Sequence, residues 1–112
     1  MGNILTITQG NTECPTFKLN IRGQPVAASD VKEVELTIES EDVILTKAYP
    51  EEAEYNAEDG SFRFHLSQED TFKLVAGKGK YQLRVYFNDG TVKAIDQQDT
   101  KVKPAISKAV LS

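Results

Sequence analysis

Tryptophan is absent from this 112-residue chain, and cysteine, histidine and methionine occur once each. One thiol, Cys14, makes neither an intramolecular disulfide nor a multi-cysteine metal site. The chain is therefore no disulfide scaffold, and a reducing compartment is expected. His65, the one histidine, leaves no multi-histidine ligand set, so no metal and no cofactor are expected. Positive charge is not in excess: 13 Lys and Arg stand against 17 Asp and Glu, mixed along the chain, for a net charge of −4. That balance argues against a nucleic-acid partner, which needs clustered basic residues. Long apolar runs are missing too, so no segment is expected to span a membrane. The opening MGNILTITQG lacks the basic and apolar regions of a secretory signal. Met1-Gly2 with Thr6 fits a short myristoylation pattern that is common by chance. No membrane partner is expected from it.

What is present is alternation of period two. Phe17, Leu19 and Ile21 alternate with polar residues, as do Val34, Leu36 and Ile38, then Phe62, Phe64 and Leu66, then Tyr81, Leu83, Val85 and Phe87. Each run reads as a strand with one buried and one wet face. Turn residues separate the runs at Gly23-Gln24-Pro25, Ser40-Glu41-Asp42, Asp59-Gly60 and Asn88-Asp89-Gly90. The spacing predicts about seven strands, near 3–9, 15–22, 32–39, 42–49, 61–66, 79–88 and 91–103. Many short strands with regular turns point to an all-β, immunoglobulin-like antiparallel β-sandwich over residues 1–103.

Two stretches depart from the alternation. Ser67-Gln68-Glu69-Asp70 has the spacing of a capping box and predicts one short helical turn near 67–72, with Phe72 and Leu74 tucked beneath it. Residues 104–112 form an apolar tail whose Ala105, Ile106, Ala109 and Val110 fall at helical spacing after Pro104. Nine residues are too few for a stable isolated helix. The tail is expected to dock, on its own domain or on a partner.

The stretch closest to a catalytic motif is Gly77-Lys78-Gly79-Lys80. A phosphate loop needs a glycine five residues before the Gly-Lys pair, a following Ser or Thr, and a helix next. Those places hold Phe72 and Gly79 in one register and Leu74 and Tyr81 in the other, and a strand follows. The reading is a turn that starts a strand, with solvated lysines. His65 shares an outward face with Arg63, and Cys14 lies in a different strand region with no local nucleophile signature. The acidic run Glu51–Gly60 lacks the alternating spacing of a calcium loop and reads as a solvated loop. No nucleophile–base pair, metal cluster or phosphate loop remains, so no catalytic residue is assigned and the chain is not expected to be an enzyme.

The candidate interface residues are Tyr86, Asn88 and Asp89 at the late hairpin, and Ile106, Val110 and Leu111 in the tail. Outward tyrosines and exposed apolar tails suit protein contacts, since each offers apolar area at low ordering cost.

The order of motifs resembles the Ig-like domain at the N-terminus of phage baseplate upper proteins and related tail modules of Gram-positive phages and prophages. It rests on I-T-Q-G at Ile7–Gly10, G-Q-P-V at Gly23–Val26 and D-G-S-F-R-F-H-L at Asp59–Leu66. G-K-Y-Q-L-R-V at Gly79–Val85 and D-G-T-V at Asp89–Val92 complete it, and the resemblance spans about residues 4–103. Such baseplate proteins continue into long helices and a further domain, whereas this sequence ends at Ser112, so a small standalone virion or prophage protein is the expectation. The resemblance implies a non-enzymatic structural protein of a tail or baseplate, found in the virion or, during assembly, in the bacterial cytoplasm. Its partners would be other virion or tail proteins and further copies of itself, as a homo-oligomer. The alternative is a cell-surface ligand- or carbohydrate-binding module, against which the lack of tryptophan platforms weighs.

Overall fold

The computed structural model describes residues 4–111. Asn3 of the first expected strand, the Met1-Gly2 pair and Ser112 lie outside the described residues. The strands are β1 (Leu5–Thr8), β2 (Thr16–Lys18), β3 (Asn20–Ile21), β4 (Gln24–Pro25), β5 (Val31–Ser40), β6 (Val43–Tyr49), β7 (Ala53–Asn56), β8 (Ser61–Phe64), β9 (Gly77–Phe87), β10 (Val92–Ala94) and β11 (Gln98–Lys103). One helix, α1 (Gln68–Lys73), and a 3-10 turn at Ala28–Asp30 complete the described elements.

The large sheet runs β1-β11-β9-β5-β6, with β10 also on β9; the small sheet runs β2-β8-β7. The two enclose one core, and the chain forms the expected immunoglobulin-like β-sandwich. Alternation does the sorting. Val34, Leu36 and Ile38 of β5 and Leu83 and Val85 of β9 are buried, facing fully buried Phe62 and Phe64 of β8. Each buried side chain of this size contributes about 1.5–3 kcal/mol over its exposed state. Tyr49 meets the Phe62 ring edge-on, 5.1 Å between centroids, which ties β6 to the opposite sheet.

All sheet pairs are antiparallel except β1 with β11, which run parallel. A parallel pair needs a long crossover, and here the whole body of the sandwich serves as one. The expected strand 15–22 divides. Arg22 and Gly23 both take positive φ and close a tight β3–β4 hairpin, which turns the chain out of the small sheet. The expected strand 91–103 also divides. Both β10 and β11 lie on β9, but their registers differ by one residue, absorbed at Ile95–Gln97.

Two corrections concern loops. The acidic run is not all loop: Ala53–Asn56 is a strand, with Ala53 buried and Tyr55 against Phe62 while Glu54 and Asn56 face water. Gly77–Lys80 is not a turn before a strand but the first part of β9 itself. Gly77 has φ +126°, and a Cβ at Gly79 would strike the Glu39 carbonyl on β5. Backbone proximity, not a phosphate, explains that glycine.

The capping box forms as expected. Ser67 Oγ accepts from the Asp70 N–H at 3.1 Å, and the Asp70 carboxylate accepts from the Ser67 N–H at 2.9 Å. Leu74 is buried below α1, whereas Phe72 lies over Gly10, whose φ is +83° and whose added Cβ would come 2.8 Å from that ring. Residues 104–111 carry no helix. Hydrogen bonds from Gln9 and Gln68 hold it against the domain instead.

Candidate functional site

Two groups of residues outside the core carry chemistry: the expected contact residues at the two ends of the large sheet, and a cluster on the outer face of the small sheet.

At one end, Tyr86 on β9 pairs across from Val92 on β10, and both are exposed. Lys32 places its ammonium 5.2 Å from the Tyr86 ring centroid, which favours an ordered ring. The hairpin beside them is self-satisfied. Asn88 donates to the Ser29 carbonyl at 2.7 Å, and Asp89 accepts from the Thr91 N–H and hydroxyl at 2.9 and 2.7 Å. The Thr91 hydroxyl first, then its N–H, holds the Asp89 carboxyl below the usual carboxylate range. Asn88 and Asp89 thus shape the end of the sheet, while Tyr86 and Val92 supply its apolar surface.

At the other end, the tail is anchored through two glutamines. Gln9 accepts from the Ala105 N–H at 3.2 Å and from the Lys108 ammonium at 2.9 Å. Gln68 at the start of α1 pairs with Leu111 in both directions, at 2.6 and 2.8 Å. These bonds use backbone and polar groups only. Ile106, Val110 and Leu111 remain 105 %, 51 % and 74 % exposed. The tail lies on its own domain, yet turns these apolar side chains away from it.

Between the ends, the outer face of the large sheet is a charge ladder. Glu33, Glu35 and Glu39 of β5 stand beside Tyr86, Arg84 and Lys80 of β9. Arg84 approaches Glu35 at 3.9 Å, and Lys80 pairs with Asp99 at 3.1 Å. This is a solvated face.

The outer face of the small sheet holds the cluster that the sequence did not reveal. Glu13 and Leu66 exchange both backbone hydrogen bonds, and Thr16 stands opposite Arg63 in the β2–β8 ladder. That register sets Cys14 across from His65, a site where antiparallel side chains come close. The Cys14 thiol is 3.7 Å from His65 Nδ1. Glu54 of β7, paired with Arg63 and so diagonal to His65, brings its carboxylate 3.5 Å from His65 Nε2. A groove of about 650 Å³ runs from Cys14 past Arg63 to Glu54. His65 points outward as expected, but its distance from Cys14 in sequence hid their pairing in space. Only the strand register could have shown it.

A second charged cluster ties α1 to the sandwich. Lys47 of β6 reaches Asp70 at 2.9 Å and Glu52 at 3.3 Å. Burial opposes the Asp70 carboxylate, but the Ser67 N–H and the Lys47 ammonium outweigh it and hold its pKa below the usual value. Burial likewise opposes the Lys47 ammonium, and the two carboxylates outweigh it and raise its pKa. The role is structural, since both partners are engaged within the chain.

The fold and sites define an immunoglobulin-like β-sandwich with largely polar outer faces and an apolar tail. Neither a protein-family model nor a curated protein sequence matches the chain. Among solved structures it is similar to CopC from Methylosinus trichosporium OB3b, with a TM-score of 0.52 at 11 % identity over 92 % of this chain and 86 % of that one. That likeness shows the shared fold. Extracellular domains 3–5 of Drosophila OTK match with a TM-score of 0.40 at 10 % identity, covering 91 % of this chain. The chain spans about a third (33 %) of that OTK chain.

Proposed function

We propose that the chain is a non-enzymatic structural module of a phage or prophage particle, in its tail or baseplate, acting through protein–protein contacts. The observation that carries this reading is the placement of the exposed apolar side chains of the tail and of Tyr86 and Val92; Ile4 and Ile44 are exposed as well. Val102 pairs with Gly77, so the tail leaves the sheet at the first end of β9, while Tyr86 and Val92 sit at the last. From Gly77 to Tyr86 the strand rises nine times, about 30 Å at the usual rise per residue. Two unlike apolar patches at opposite ends suit a head-to-tail contact between copies, or successive contacts with other virion proteins. Head-to-tail contacts that close make rings. The outer strands β1 and β6 add sheet edges that no further strand covers, blunted where Glu13 accepts from the Thr8 N–H and Glu52 bonds both backbone groups of Ala48. The phage setting rests on the motif resemblance from Ile7 to Val92.

The test is solution mass by light scattering after size exclusion, over a range of concentrations, for the full chain and for residues 1–103. A defined oligomer that loses subunits on truncation supports self-assembly with the tail as clasp. A monomer in both excludes the ring of identical copies. Mass spectrometry of purified induced particles then decides the setting: absence of the chain from them overturns it.

A further inference from the structure

We propose that Cys14, His65 and Glu54 form a reactive-thiol site on the outer face of the small sheet, which exchanges with low-molecular-weight disulfides. This site is separate from the apolar ends and from the assembly they serve.

Three strand segments build it. The reciprocal Glu13–Leu66 hydrogen bonds, at 3.0 and 2.8 Å, and the Phe64 N–H to Pro15 carbonyl bond at 2.9 Å clamp the backbones on either side of Cys14 and His65. The His65 N–H donates to the Glu52 carbonyl at 3.1 Å, which fixes β7 beside it. The imidazole is thus held between a thiol on Nδ1 and a carboxylate near Nε2. This is a nucleophile, a base and a group that orients the base, the base lying between the other two. Alternation keeps all three out of the core, since Phe62, Phe64 and Leu66 take the inward places of the same segment. Cys14 is partly exposed, and the groove beside it opens a path for a small molecule.

The chemistry balances without a further oxidant. His65 takes the proton of the Cys14 thiol. The thiolate attacks one sulfur of a disulfide R–S–S–R, the S–S bond breaks, and a Cys14–S–S–R bond forms. The departing RS⁻ receives the proton from His65 and leaves as RSH. Glu54 stabilises the transient imidazolium; it is a positioning residue, because it touches neither sulfur. His65 and Glu54 are well exposed, so the gain is smaller than in an enclosed enzyme site.

The experiment follows mixed-disulfide formation at pH 7 with bis(hydroxyethyl) disulfide as probe, by intact mass. Cys14→Ser removes the product. His65→Ala is expected to slow the reaction about tenfold, below the range of enclosed general-base sites. Glu54→Gln is expected to slow it about threefold, with Glu54→Asp restoring part of the loss. Folded wild type is expected to outpace the same chain unfolded in urea, with the probe's rate on a cysteine peptide as the solvent correction. That last comparison holds even if His65→Ala does not fold. A folded thiol no faster than the unfolded one overturns the proposal, as does a folded His65→Ala variant within about twofold of wild type. An unchanged rate in Glu54→Gln overturns the carboxylate's part.

Discussion

Replacing Asp70 by alanine is the sharpest probe of how this sandwich holds its one helix. The change removes two interactions at once. The Ser67 N–H loses its acceptor at 2.9 Å, and Lys47 loses a partner at 2.9 Å. The Ser67 cap on the Asp70 N–H survives, and the lost return bond of the capping box contributes about 1 kcal/mol. Breaking a fully buried ion pair by removing one partner costs about 3–5 kcal/mol. Lys47 and Asp70 are 17 % and 11 % exposed, and Lys47 keeps Glu52 at 3.3 Å, so the pair lies below that range. About 1–2 kcal/mol is the share of the ion pair, and the total is about 2–3 kcal/mol. At roughly 4 °C per kcal/mol for a domain of this size, the melting temperature falls by about 8–12 °C. Far-ultraviolet circular dichroism follows the change, by heating for the melting temperature and by urea for the free energy, since there is no tryptophan to report. Asp70→Asn keeps an acceptor for Ser67 and is expected to lose about half as much. The pH dependence supplies an independent check. Asp70 has a lowered pKa in the fold, so its contribution is present above the unfolded carboxylate pKa and fades as pH falls through the folded value. Lys47 has a raised pKa, so its contribution is present below the unfolded lysine pKa and fades as pH rises through the folded value. The gap between wild type and Asp70→Ala should therefore stay level between about pH 5 and about pH 9 and close on the acid side. A loss under about 1 kcal/mol, or a gap that persists unchanged into strong acid, refutes the reasoning.

Three further substitutions test other parts of the fold. Gly79→Ala should destabilise by about 2–4 kcal/mol, because its Cβ meets the Glu39 backbone and not a flexible side chain; a thermal melt near wild type would show that β5 and β9 can separate freely. Thr100→Val should raise stability by about 1 kcal/mol, because Thr100 Oγ1 is the buried side-chain polar atom without a partner among the described residues; a loss in urea midpoint would mean the hydroxyl is satisfied in solution. Phe62→Ala should cost about 3–5 kcal/mol, since the ring is fully buried between Tyr49 and Tyr55; chemical denaturation reads it directly, and a loss below about 2 kcal/mol would imply a core that collapses onto the gap.

Most of the core was legible because alternation is a local signal. Leu36, Phe62, Phe64 and Leu83 sit inward as their neighbours' polarity demanded. The capping box was legible for the same reason, as its two partners are three residues apart. Strand β7 escaped because its inward residues, Ala53 and Tyr55, are set among Glu51, Glu52, Glu54 and Glu58. Two inward positions are too few to raise a period above that charge. The parallel β1–β11 pair and the Cys14–His65 pair were illegible in principle. Both depend on register between segments far apart in sequence, which no local pattern carries. Gly79 stands between these cases. The sequence marked it as a special backbone position, and the structure supplied a steric reason where a turn was expected.

The distribution of surface chemistry follows from the architecture itself. A sandwich buries the inner face of each sheet, so any function must use an outer face, an edge or an end. On the large sheet much of the outer face is charged, with Glu33, Glu35 and Glu39 beside Lys80 and Arg84, and Ile44 of β6, opposite Glu39, is exposed among them. Such a ladder also discourages face-to-face stacking of copies, since a partner would have to desolvate every charge on it. Most of the other exposed apolar area lies toward the two ends of β9, where the chain must turn or leave. The tail shows the principle most clearly. Gln9 and Gln68 satisfy its polar groups, which frees Ile106, Val110 and Leu111 from any duty to the domain that holds them. An anchored backbone has already lost much of its conformational freedom, so a partner that covers those side chains gains their burial with less ordering still to be done.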